Sequence, residues 1–207
     1  LPLEMAVRDL VTGPLDMNDT GFHVPAWKTD RLAANYADGD PQPALIEDND
    51  MVPLMGMAAR FEPSRATDAD AWASSGAGMV GTAGDLMQLF LSLDDEDGLL
   101  DKATAQGMMS QQTATYPFID LFMDINGGMP ENGAGWTFGL GGAVLADPEK
   151  AGTPQSEGTY AWSGAYGHIW FIDPAEDLIV VSFTNTAWEG IYGSFAQDIR
   201  NAVYDAN

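Results

Sequence analysis

Residues 158–185 read Gly-Thr-Tyr-Ala-Trp-Ser-Gly-Ala-Tyr-Gly-His-Ile-Trp-Phe-Ile-Asp-Pro-Ala-Glu-Asp-Leu-Ile-Val-Val-Ser-Phe-Thr-Asn. Aromatic and β-branched residues in three short runs predict consecutive strands over 159–164, 167–172 and 178–184. Asp173-Pro174-Ala175-Glu176-Asp177 supplies the turn between the last two. After Trp162 the chain narrows to Ser163-Gly164-Ala165. Small residues pack poorly inside a strand and make sense where another group must approach the backbone closely.

Outward from this stretch, Ile191, Phe195, Ile199 and Val203 recur at helical spacing and predict an amphipathic helix over 191–204. Upstream, 147–158 reads as a loop, and Trp136–Ala146, which alternates glycine with apolar residues, reads as a strand. Residues 99–112 predict a short helix. Leu86, Leu89, Phe90 and Leu93 form the apolar stripe of another, with Thr82 as its cap and Asp85 favouring its N-terminus. Residues 3–12 carry a further helical pattern, which Gly13-Pro14 ends. Residues 23–70, rich in Pro, Asp, Asn and Gly, read mainly as loop with short elements. No internal repeat and no second compact domain is expected.

The net charge is −23, from 31 acidic and 8 basic residues. Such a surface repels nucleic acid and anionic lipid, and it suits a salt-rich habitat where counterions screen the repulsion. The absence of cysteine excludes disulfides and thiolate chemistry, and two histidines are too few for a His-based zinc site. The acidic run 94–97 lacks the alternating spacing of an EF-hand loop. No apolar run approaches a membrane span. Ser75–Gly84 contains a literal Gly-x-Gly-x-x-Gly, but no buried strand precedes it, so a turn before a helix is the better reading than a nucleotide site.

Three segments carry a resemblance. Trp162-Ser163-Gly164-Ala165 resembles the third active-site element of the serine β-lactamase, penicillin-binding protein and family VIII esterase superfamily, in its Trp-x-Gly form. Pro14-Leu15-Asp16-Met17-Asn18-Asp19-Thr20-Gly21-Phe22 is similar to that family's Pro-Leu-Gly-Met-x-Asp-Thr-x-Phe segment. Asp16 stands where Gly is usual, and Asp can adopt the left-handed conformation a turn there needs. Ser75–Asp85 matches a third family pattern at most positions. The resemblance implies an α/β (α+β) fold of the β-lactamase/transpeptidase type, an antiparallel sheet flanked by helices beside a helical lobe. It further implies that the chain is one partial domain, roughly the C-terminal half. Residues 1–112 would be mainly the helical lobe, and 113–207 the last strands and helix of the α/β lobe.

The same resemblance implies acyl transfer to a serine followed by hydrolysis, with no cofactor and no metal. It assigns Ala165 as an oxyanion N–H donor, with Ser163 and Trp162 as the other members of the catalytic element and Gly164 and Tyr166 against the substrate. A Ser-Lys mechanism needs Ser-x-x-Lys at a helix start, so that the amine lies one turn from the hydroxyl. Pro25, Leu99 and Asp147 precede Lys28, Lys102 and Lys150 by three, so the motif is absent. Tyr-x-Asn upstream of the Pro-Leu-x-Met segment and the Gly-x-Ser-x-Gly elbow are absent too. The expected partners are therefore a small-molecule ester or amide and an N-terminal companion segment or chain carrying the nucleophile. A targeting segment would lie upstream of Leu1, for a periplasmic or secreted protein. Trp162 in place of a cation argues for an ester or amide over a substrate carboxylate. The alternative is a non-catalytic binding protein that kept the fold. His168 reads as a strand histidine before a general base, Tyr166 and Trp188 as rim packing or cleft lining, and His23 as a loop residue without a role.

Overall fold

The computed structural model describes residues 1–39, 42–54, 57–113, 135–191 and 193–205. They form two compact units, one of Leu1–Asp101 with Asn185–Ala187 and one of Lys102–Thr184 with Trp188–Asn207. Residues 102–112 belong to the second unit because they bind its sheet: the Leu140 N–H donates to the Met108 carbonyl at 2.9 Å, and the Gln112 N–H to the Phe138 carbonyl at 2.9 Å. Part of the expected second lobe, residues 114–134, lies outside the described residues.

The first unit opens with α1 (Leu3–Val7), which runs into a π-helical turn over Arg8–Thr12. Asp16 takes φ 52°, the left-handed conformation a short polar side chain tolerates. The loop-rich region holds two hairpins, β1 (Tyr36–Ala37) with β2 (Ala44–Leu45) and β3 (Met51–Leu54) with β4 (Met57–Arg60), and 3-10 turns at Ala26–Arg31 and Pro63–Thr67. In α2 (Ala83–Leu91) the Thr82 hydroxyl accepts the Asp85 N–H at 3.1 Å, as a capping threonine does. The Asp85 carboxylate in turn accepts the Asp19 N–H at 2.9 Å and the Thr20 hydroxyl at 2.8 Å. A backbone bridge pairs Gly21 with Val80. The segments 14–22 and 75–85, distant in sequence, are thus joined. Met17, Phe22, Ile46, Val52, Phe61, Phe90, Leu93 and Ala187 are buried apolar residues of this unit.

The second unit is built on a five-stranded antiparallel meander, β5 (Trp136–Phe138), β6 (Ala143–Leu145), β7 (Tyr160–Ser163), β8 (His168–Asp173) and β9 (Leu178–Phe183), in that order. The single strand expected over 136–146 is a hairpin instead. Gly139 donates to the Gly142 carbonyl at 2.8 Å and Gly141 takes φ 92°, so the glycines read as strand positions make the turn. The helices are α3 (Lys102–Met108), α4 (Pro148–Ala151, a single turn within the expected loop) and α5 (Ser194–Asp205).

Strand alternation divides the sheet's side chains. Tyr160, Trp162 and Trp170 share one face, where Tyr160 and Trp170 lie 5.3 Å apart and Phe138 meets Trp162 edge-on at 5.5 Å. Phe171 and Asp173 share the other, where Tyr204 of α5 stacks on Phe171 and its hydroxyl donates to the Asp173 carboxylate. Asp173 is fully buried and also accepts the N–H groups of Ser156 at 2.9 Å and Ala175 at 3.1 Å. Burial alone would raise this carboxyl, but the hydrogen bonds together hold it below the ordinary carboxylate range. Burial, then the bond to Asp173, pushes the Tyr204 phenol up.

Candidate functional site

The small-residue step lies at the end of β7 and in the turn to β8. Trp162 pairs with Trp170 and Ser163 with Ile169. Alternation therefore sends the Trp162 and Ser163 side chains to opposite faces, and the structure does not bring them together. The Ser163 hydroxyl makes no hydrogen bond among the described residues. No activating base reaches it there, so a nucleophile's role for Ser163 has no geometric support.

The turn is fastened through its backbone. Gly164 donates to the His168 carbonyl at 2.9 Å and accepts from the Gly167 N–H at 3.0 Å. Gly167, at φ 102°, accepts the Thr184 hydroxyl at 2.6 Å and the Thr184 N–H at 3.3 Å. The Ala165 carbonyl accepts the Trp188 N–H at 2.8 Å. The Ala165 N–H is different: among the described residues it has no acceptor. The Gly164 N–H points to β8, and Ala165 is the second residue of the turn that the Gly167 N–H closes onto the Gly164 carbonyl. β6 pairs with β7 only at Tyr160 and Ala161, and Ala165 is half-buried. A donor so fixed and without an acceptor is what stabilisation of a developing oxyanion requires.

Gly164 clears space for a neighbour within the protein. A Cβ there would lie 2.0 Å from Cε1 and Nε2 of His168, so the imidazole occupies the place a side chain would take. The expectation that Gly164 opens room for substrate meets this ring on that face. Phe183 contacts His168 edge-on at 5.5 Å, and burial lowers the histidine's pKa, favouring the neutral form. Tyr166 occupies the turn itself, half-buried.

Elsewhere, His23 lines a hollow with Asp19, Thr20 and Lys28 of about 70 Å³, room for a few waters and not for an acyl ester. Lys28 and Arg31 both pair with Asp19, at 2.6 and 2.7 Å. Arg31 first, then Lys28, holds the Asp19 carboxyl down to about 2. In the Gly-x-Gly-x-x-Gly stretch, a Cβ on Gly81 would lie 2.7 Å from the Thr20 hydroxyl, so this glycine serves close packing within the unit. Among the described residues no cluster of three His, Cys, Asp or Glu is arranged to hold a metal, and no helix is long and apolar enough to cross a membrane. The tether from Trp188 had no signal in the sequence, since a backbone donor leaves no residue-type signature.

The family profile described as Beta-lactamase matches residues 1–191. Esterase EstB of Burkholderia gladioli is 41% identical over 206 residues, 98% of this chain and 49% of that protein. A solved structure of EstCE1, described as a hydrolase with promiscuous acyltransferase activity, superposes with a TM-score of 0.85 at 39% identity, over 98% of this chain and 51% of that one. The simvastatin synthase LovD of Aspergillus terreus, at 21% identity and TM-score 0.65 over 100% of this chain and 50% of its own, shares the fold. The chain thus spans about half the length of these relatives.

Proposed function

The chain belongs to the beta-lactamase family, and we propose that it is the oxyanion-bearing part of a serine esterase or amidase that works through an acyl-enzyme. The observation that carries this reading is the Ala165 N–H, in the turn after β7, without an acceptor among the described residues while the Gly164 carbonyl before it and its own carbonyl both accept hydrogen bonds. The nucleophilic serine and its lysine would come from a companion segment or chain, since these 207 residues hold no Ser-x-x-Lys. In the reaction, the serine oxygen bonds to the substrate carbonyl carbon as its proton passes to the lysine amine. The carbonyl electron pair moves onto oxygen, where the Ala165 N–H and the serine's own N–H would hold it. Collapse expels the alcohol or amine, which takes the proton, and water then releases the acid by the same steps. Trp162 presents no cation, which supports a neutral ester or amide over a substrate recognised by its carboxylate. The similarity to Esterase EstB is in keeping with an ester.

A second reading, a non-catalytic binding protein on the same fold, is favoured by the missing Ser-x-x-Lys. The two separate on p-nitrophenyl ester turnover and fluorophosphonate labelling, measured on residues 1–207 alone and on the product of the full gene. The proposal expects an inert chain and a full product that turns over ester and carries the label on a serine outside these residues. Labelling within them, or an inert full product, contradicts it.

A further inference from the structure

We propose that Trp188 is a positioning residue, whose backbone, held at positive φ, clamps the Ala165 carbonyl and fixes the orientation of the Ala165 N–H. The inference rests on the reading of Ala165 as an oxyanion donor. Trp188 has φ 68°, a region that a bulky side chain rarely adopts unless its surroundings impose it. In that conformation its N–H reaches the Ala165 carbonyl at 2.8 Å, and its own carbonyl accepts the Ile191 N–H at 2.8 Å. Gly190 lets the turn lie against the start of β8, because a Cβ there would come within 2.3 Å of the His168 carbonyl oxygen.

The two peptide planes flanking Ala165 are therefore fixed from different sides. The plane carrying the Ala165 N–H is held through the Gly164 carbonyl by Gly167, and the plane beyond it is held by Trp188. Releasing the second plane leaves the turn held from one side, by the Gly167 bond, so the plane carrying the Ala165 N–H gains freedom to tilt away from the developing charge. Misaimed donors reduce turnover more than ground-state binding, since they act on charge that exists only in the transition state.

The backbone conformation, and not the indole, is what the clamp needs, and three substitutions in the full-length protein separate the two. Trp188→Gly and Trp188→Asn accept positive φ, whereas Trp188→Val resists it. With p-nitrophenyl esters, Gly and Asn should keep kcat within about 3-fold, and Val should lower kcat by about tenfold or more with KM little changed. Equal kcat in all three overturns the clamp. A common rise in KM with kcat kept in all three makes the indole a substrate contact and overturns it too. Amide exchange in the full-length parent protein needs no variant to fold. The Trp188 amide should be protected and the Ala165 amide fast, and an unprotected Trp188 amide overturns the proposal. Ala165→Pro run in parallel separates the failures. If it keeps turnover, the oxyanion reading falls and the clamp with it. If it loses turnover while Trp188→Val keeps it, the clamp alone falls.

Discussion

A methyl group added at Gly164 would meet the His168 ring at 2.0 Å, so this glycine is dictated by its neighbour on β8. Gly164→Ala should cost about 1–3 kcal/mol, as overpacking does. Urea unfolding checks the cost, and pairing the change with His168→Ala, which removes the ring, should recover most of it. An uncompensated double variant would show that the strain lies elsewhere. The residue scale also shows what sequence can hold. Asp16 at φ 52° was legible, because a short polar residue in a turn segment is chemically suited to that conformation. Trp188 at φ 68° was not, because nothing in an aromatic residue's chemistry favours it and only tertiary contacts impose it. Only the small-residue step and the family resemblance single out Ala165 as a candidate, since a backbone donor looks the same in every residue.

The elements with clear periodicity were the legible ones. The three strands quoted at the outset fall within a residue or two of β7, β8 and β9, and Thr82 caps α2 as expected. The glycine-rich 136–146 misled, because a strand and a tight hairpin draw on the same residues there. The lock between α5 and the sheet was invisible, since Asp173 and Tyr204 lie 31 positions apart. Tyr204→Phe removes one donor from a fully buried carboxylate and should destabilise the fold by about 1–3 kcal/mol. The sign with pH follows from the depressed pKa of Asp173. Its contribution is present above the unfolded value of about 3.9 and is lost as pH falls through the folded value. In Tyr204→Phe the folded value rises, so acid unfolding should begin at higher pH than in the parent. Identical acid transitions would contradict the lock.

Across the whole molecule, 31 acidic residues face 8 basic ones, and self-repulsion follows. Thermal scans from about 0.05 M to about 1 M NaCl, over which the screening length falls to about 3 Å, should show a rising midpoint. A flat response would leave the acidity without this role. Fold class was legible at this scale because three separated segments agreed with one family, and the match over residues 1–191 bears that out. The division at 101/102 depends on hydrogen bonds between a short helical segment and the sheet. Ala165 bears most directly on acyl transfer. In the full-length protein, fluorophosphonate labelling rates of Ala165→Pro and Ala165→Ser are compared at equal folded fraction. Proline removes the N–H and should slow labelling by about 10²–10³, while serine keeps the N–H and should label at the parent rate. A folded Ala165→Pro that labels as fast as the parent would contradict the account.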